Sequence, residues 1–328
     1  MMNDPIHSSI SGKDWILFFE RSVSMEYTYQ EFPESNSTCD GMKVVAGELN
    51  HIEPRIGENQ PVYAVKNGLP LHLCFLYPME LETSKKYPLI VFVQGSAWRQ
   101  QNLLNHVLDF YPVIQEGYVI AIVEYRPSSV ASFPAQVIDT KDAVRYIIAH
   151  QDEYPIDINH LYLAGDSSGG HTVLSCLATW NDHRLDESQE ELPQIRGCID
   201  FYGPTHLAKM CEQPSNVEHR APDSPEGMII GGYDVVEYVE KAYMCSPIAY
   251  FYENQKIAPL LILHGSKDRT VPFDQSVLLF QRLKELSIHN VDFYQVKNGD
   301  HGGNVFWCPN TIKIVIEFLN RYREGEKV

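Results

Sequence analysis

Positive charge is scarce in this chain: 26 lysines and arginines stand against 43 aspartates and glutamates, a formal charge of −17. Binding to nucleic acid or to an anionic bilayer rests on clustered Lys and Arg, and the sequence holds no such cluster. Neither partner is expected. A run of about 18 apolar residues, the length a membrane-crossing helix needs, is also missing. The opening Met1-Met2-Asn3-Asp4-Pro5 has neither the basic start nor the apolar stretch of a secretory signal, so a soluble, cytoplasmic protein is expected. The seven cysteines are odd in number and include no Cys-x-x-Cys pair. Several, such as Cys74, Cys176 and Cys198, lie in apolar runs, where a reduced thiol serves as a small hydrophobe; neither a disulfide frame nor a zinc site is expected. No phosphate-cradling P-loop, dinucleotide fingerprint, internal repeat or low-complexity tract is present. No metal or organic cofactor is implied.

What is present is the composition of a compact α/β protein: 44% apolar residues, with 20 glycines and 20 prolines among 328 residues. Nearly continuous apolar runs at Pro88 to Val93, Tyr118 to Val123, Leu161 to Ala164, Gly197 to Tyr202 and Pro259 to Leu263 read as strands buried on both faces of a mostly parallel sheet. Leu71 to Tyr77 alternates more and predicts an antiparallel edge strand. Helical spacing at Ala135 to His150, Ser168 to Trp180, Asp274 to Leu286 and Thr311 to Tyr322 supplies covering layers. Two segments break the alternation. Residues 1–60 are polar with scattered aromatics (Trp15, Phe18, Phe19, Tyr27, Tyr29, Phe32) and read as an N-terminal arm or lid. Residues 61–328 then form one domain, with a Pro-, Glu- and Gly-rich cap insertion at about 205–245.

The sharpest motif is Gly165-Asp166-Ser167-Ser168-Gly169, where the strand Leu161 to Ala164 runs into Gly-x-Ser-x-Gly and then into a helix. That context builds a nucleophile elbow: the glycines permit a turn too tight for side chains, and Ser167 stands exposed at a helix N-terminus. A serine hydroxyl is a weak nucleophile and needs a base oriented by a carboxylate, here in the chain order Ser, Asp, His. Asp268 follows the strand Leu260 to Leu263. His301 follows the strand Val291 to Val296 on a Gly-rich loop and is the one histidine of 13 in that order and context. Asp300 competes as the acid, but it is poorly placed to orient its own neighbour; His171 reads as packing. Backbone N–H donors for an oxyanion are expected from Ser168 and from the loop Gln94-Gly95-Ser96-Ala97-Trp98, with Ser96 first and Gly95 next. Trp98, Tyr202, Phe273 and Trp307 are candidate pocket walls.

At these residues the chain resembles the esterase/lipase branch of the α/β-hydrolase superfamily, over about residues 60 to 325. Gly165-Asp166-Ser167-Ser168-Gly169-Gly170 is similar to the Gly-Asp-Ser-Ala-Gly-Gly elbow of hormone-sensitive-lipase-like esterases. Gln94-Gly95-Ser96-Ala97-Trp98 stands where that group has His-Gly-Gly-Gly-Trp. The acid loop, Gly265 to Pro272, resembles the Gly-x-x-Asp-x-x-Val-Pro of feruloyl-esterase-like and prolyl-oligopeptidase-like hydrolases, which moves the best match to the feruloyl and acetyl-xylan esterase-like set. The resemblance implies an α/β-hydrolase fold and a serine carboxylesterase acting on small-molecule, short-chain acyl esters, acetyl or feruloyl esters of carbohydrates among them, without a cofactor. The same triad leaves an amidase, a peptidase or an arylformamidase open, and a hydrolase scaffold can also serve as a non-catalytic ligand-binding protein. A homo-oligomer is among the possible assemblies.

Overall fold

The computed structural model describes residues 31, 33–45, 53–79, 81 and 84–323. Two units are distinguished, Met1–Leu49 and Asn50–Val328. In the first, residues 33–45 are exposed and form neither helix nor strand. The six aromatic residues of the 1–60 segment lie outside the described residues.

The second unit is built on a nine-stranded sheet: β1 (Pro54–Ile56), β2 (Val62–Lys66), β3 (Leu69–Pro78), β4 (Tyr87–Val93), β5 (Val119–Val123), β6 (Ile156–Asp166), β7 (Ile195–Phe201), β8 (Leu260–Gly265) and β9 (Val291–Val296). Their order is β1-β3-β5-β4-β6-β7-β8-β9, with β2 paired to β3. From β5 to β9 every pairing is parallel. Every residue of β4, β5 and β8 is buried, as expected of strands covered on both faces.

Successive side chains of one strand feed two different cores, because a strand points alternate residues to opposite faces. Leu89, Val91 and Val93 of β4 join Val144 of α2 (Ala135–Ala149), Leu174 of α3 (Ser168–Ala178) and Leu279 of α6 (Asp274–Glu285). Ile90 and Phe92 join Val113 of α1 (Tyr111–Gln115) and Phe318 of α8 (Pro309–Arg323). Helices thus cover both faces, and the fold is that of an α/β-hydrolase. Between β7 and β8, where a cap insertion is expected, the chain runs through α4 (Pro225–Ile229) and α5 (Val239–Met244). A small core there gathers Leu207, Ile229, Val235 and Ala242 around Trp98.

One sequence expectation is corrected. Leu71 to Tyr77 lies in β3, which is antiparallel but not an edge: Leu76 pairs with Ile120 of β5 on one side and Ile56 of β1 on the other, and β2 pairs with the start of the strand. The hairpin from β2 turns through Asn67-Gly68, both at positive φ (53° and 76°), the backbone that a two-residue hairpin turn demands. The short helices α1 and α7 (Asn304–Trp307) went unpredicted, since four or five residues do not display a helical period. No helix among the described residues is long and apolar enough to cross a membrane.

Phe92 is fully buried and packs edge-on against Phe110 at 4.8 Å between ring centres. Phe92→Ala is expected to cost about 3–5 kcal/mol of stability in urea titration. Tyr294→Ala on the outer strand β9, where the residue is 41% exposed, is expected to cost about 1 kcal/mol or less.

Candidate active site

The elbow is shaped by how closely α3 lies on the ends of the strands. A Cβ on Gly169 would fall 1.8 Å from the Val93 carbonyl oxygen, and one on Gly165 2.5 Å from the Gly169 carbonyl oxygen, so both positions accept only glycine. Between them Ser167 takes φ 51°, ψ −124°, a strained backbone for a side-chain-bearing residue. Two bonds hold it there: Ser167 N–H donates to the Phe201 carbonyl (2.8 Å), and its own carbonyl accepts from His171 N–H (3.0 Å). His171 is buried one turn below, its Nε2 donating to the Cys245 carbonyl at 2.7 Å at the end of the cap. Burial lowers its pKa to about 4, so it stays neutral at pH 7.

The structure brings Ser167, His301 and Asp268 together. His301 Nδ1 lies 2.8 Å from Asp268 Oδ2, and Nε2 lies 2.8 Å from Ser167 Oγ. The carboxylate only accepts, so Nδ1 carries the proton and Nε2 is left to accept from the Ser167 hydroxyl. Asp268 is held from several sides. Oδ1 accepts the N–H groups of Thr270 (2.8 Å) and Val271 (2.9 Å). A second histidine, His264, approaches Oδ2 with Nε2 at 3.3 Å while also donating to the Val271 carbonyl at 2.9 Å, and its Nδ1 accepts from Ser276 Oγ at 2.7 Å. Burial alone would raise the Asp268 pKa, but hydrogen bonds from His264 and His301 outweigh it and hold the group at about 2. Asp300 points elsewhere, with Arg269 bridging it on the surface. Tyr202 packs its ring against His301 at 4.8 Å between centres.

The loop after β4 is arranged differently from the expected donor pattern. Gly95 N–H is taken by Asp166 Oδ1 (2.7 Å) and Ser96 N–H by Ser168 Oγ (2.9 Å). The buried Tyr125 hydroxyl ties this corner together, donating to the Gln94 carbonyl (3.0 Å) and lying 2.9 Å from Ser96 Oγ and 3.3 Å from Ser168 Oγ. Burial raises the Tyr125 pKa to about 12, which keeps the hydroxyl a donor. Ala97, at φ 54°, has no acceptor for its N–H among the described residues. Neither has Ser168, as the first residue of α3.

A cavity of about 580 Å³ opens on Ser167 and is lined by Ala97, Trp98, Arg99 and Ser168, by most of the segment from Val217 to Glu226 (not Arg220 or Pro222), and by Thr270 and Val271. Trp98 is the candidate wall that lines it. Tyr202, Phe273 and Trp307 stand outside the lining, with Trp307 packed among His106, Phe110 and Phe201. Among the described residues, no group of three or more His, Cys, Asp or Glu side chains is placed to hold a metal ion.

The family described as BD-FAE matches residues 76–283, more than half of the chain and all but the last of the three triad positions. The chain belongs to the BD-FAE family. It is 28% identical to the esterase LipC of Mycobacterium tuberculosis over 67% of its own length and 54% of the relative. With the probable carboxylic ester hydrolase LipM of the same organism it shares 24% identity over 71% and 53%. This BD-FAE chain thus spans about half the length of the curated relatives it matches. Among solved structures it is similar to a truncated carbohydrate esterase from gut microbiota (TM-score 0.71, 24% identity, 85% of this chain and 99% of the other). A thermophilic esterase, Est2 of Thermogutta terrifontis, also shares the fold (TM-score 0.64, 20% identity, 82% and 96%).

Because its folded pKa is depressed, ionised Asp268 stabilises the fold above its unfolded value near 4, and the contribution is lost as pH falls towards 2. Asp268→Asn removes that titration. The stability of wild type relative to Asp268→Asn is expected to fall by roughly 2 kcal/mol between about pH 5 and about pH 2, read from chemical denaturation at each pH.

Proposed function

We propose that the chain is a serine-dependent carboxylic ester hydrolase acting on short-chain acyl esters through an acyl-enzyme on Ser167. The observation that carries this is the Ser167–His301–Asp268 chain of two 2.8 Å contacts at the mouth of a cavity. His301 Nε2 takes the Ser167 proton as Oγ attacks the ester carbonyl; Asp268 keeps the proton on Nδ1 and stabilises the imidazolium that forms. The tetrahedral oxyanion is received by backbone N–H groups. Ser168 N–H is one. Ala97 N–H replaces the expected Ser96 and Gly95 as the other, because those two are already engaged while Ala97 lines the cavity unbound. His301 then returns the proton to the departing alkoxide, and a water molecule, activated the same way, frees the acid. Acetyl or feruloyl esters of carbohydrates fit the wider resemblance in the elbow and acid loop.

The test compares matched nitrophenyl esters and nitroanilides of the same short acyl groups with wild type and Ser167→Ala. Ester turnover that exceeds anilide turnover and drops about 10⁴-fold or more in the variant is the expected result. Faster anilide cleavage would make the chain an amidase, and turnover of N-formylkynurenine alone an arylformamidase. A folded protein with no turnover of any of these would leave a binding protein.

A further inference from the structure

The cavity at Ser167 also holds a polar pair in its cap wall. His219 and Glu226 both line it, with each side chain only 4% exposed. His219 Nε2 lies 2.9 Å from Ser215 Oγ and 3.0 Å from the Thr270 carbonyl oxygen. A carbonyl only accepts, so Nε2 carries a proton, and the ring pins the cap to the loop two residues beyond Asp268. Nδ1 faces Glu226 Oε2 at 2.9 Å, but without the alignment of a hydrogen bond. Both atoms are buried without a hydrogen-bond partner among the described residues.

A buried carboxylate oxygen left unpaired costs stability, and neighbouring groups do not relieve it. Ser224 Oγ accepts from Gly227 N–H, and no donor from Ser224 or any other described residue reaches Glu226 Oε2. The two groups meet in distance, at 2.9 Å, but not in alignment, so no hydrogen bond joins them. What remains unmet is a hydrogen bond, not an ion pair. A hydroxyl supplies that bond; an ester carrying its own carboxylate would meet three acids on the same lining, Glu218, Asp223 and Glu226, against one cation, Arg99.

We propose that Glu226, beside His219, is a specificity-determining residue: its carboxyl group accepts a hydrogen bond from a hydroxyl group carried by the ester, so the cavity selects hydroxylated esters over plain ones. This rests on the ester-hydrolase reading above and narrows it. The full chain would be assayed on two pairs in which a hydroxyl replaces a methyl group at constant size. Hydroxyethyl acetate against propyl acetate places the hydroxyl on the alcohol, and methyl hydroxypropionate against methyl butyrate places it on the acyl group. Wild type is expected to favour the hydroxylated member of at least one pair by about tenfold in kcat/KM. Glu226→Met, similar in length but without an acceptor, should bring that ratio to about one, and Glu226→Gln, which keeps a carbonyl oxygen, should restore part of it. A ratio taken within one variant cancels any general loss of active protein. Wild-type ratios near one in both pairs overturn the proposal without any variant, and so does a Glu226→Met protein that keeps the preference. Absence of turnover on all four esters sinks the ester-hydrolase reading itself, and the proposal with it.

Discussion

The site depends on one steric constraint: the start of α3 must lie directly against the carbonyl end of β4. The Val93 carbonyl would be 1.8 Å from any Cβ at position 169, so the contact exists only between backbones. It forces Ser167 into its strained turn, and that turn lifts Oγ out of the sheet to where His301 Nε2 can reach it. The same contact brings Ser168 against the loop after β4, so the Ser167 hydroxyl and the N–H groups of Ser168 and Ala97 share one corner. Strain at such a residue persists only where its surroundings over-determine it. Here the bonds from Phe201 and His171 and the packing of α3 into the sheet's core do so.

Electrostatics complete what sterics begin. Asp268 must remain an anion while its side chain is fully shielded from solvent, and an unpaired buried carboxylate would instead protonate. Two backbone N–H groups and two imidazoles prevent that. His264 occupies the end of β8 and makes the acid loop rigid from beneath, while His219 ties the same loop to the cap through Thr270. The loop carrying Asp268 is therefore where the sheet, the β7–β8 segment and the Ser167–His301–Asp268 chain meet.

The parallel core was legible in the sequence because strands buried on both faces leave unbroken apolar runs, and the longer helices show their period. The outer strands were less so: three residues at Pro54–Ile56 carry no pattern, and without them β3 read as an edge. Ser167, Asp268 and His301 could be nominated because each sits on a loop directly after a strand, flanked by glycine or by a motif. His264 could not, since it extends an apolar run that reads as plain strand. Asn67-Gly68 is itself a hairpin signal. The oxyanion corner resisted because its outcome turns on which N–H groups are captured by side chains, Asp166 for Gly95 and Ser168 for Ser96, and sequence order is silent on that. His219 and Glu226 lie seven residues apart in an irregular segment, and only the folded cap sets them face to face.

On the proposed reading, His301 and Asp268 make Ser167 a nucleophile. The most direct measurement is the rate at which a fluorophosphonate labels the protein, with the adduct mapped by mass spectrometry, in wild type and in His301→Ala. A single adduct on Ser167, formed quickly in wild type and at least about 100-fold more slowly in His301→Ala, is the predicted result. Equal rates in the two proteins, or an adduct on another residue, would contradict it.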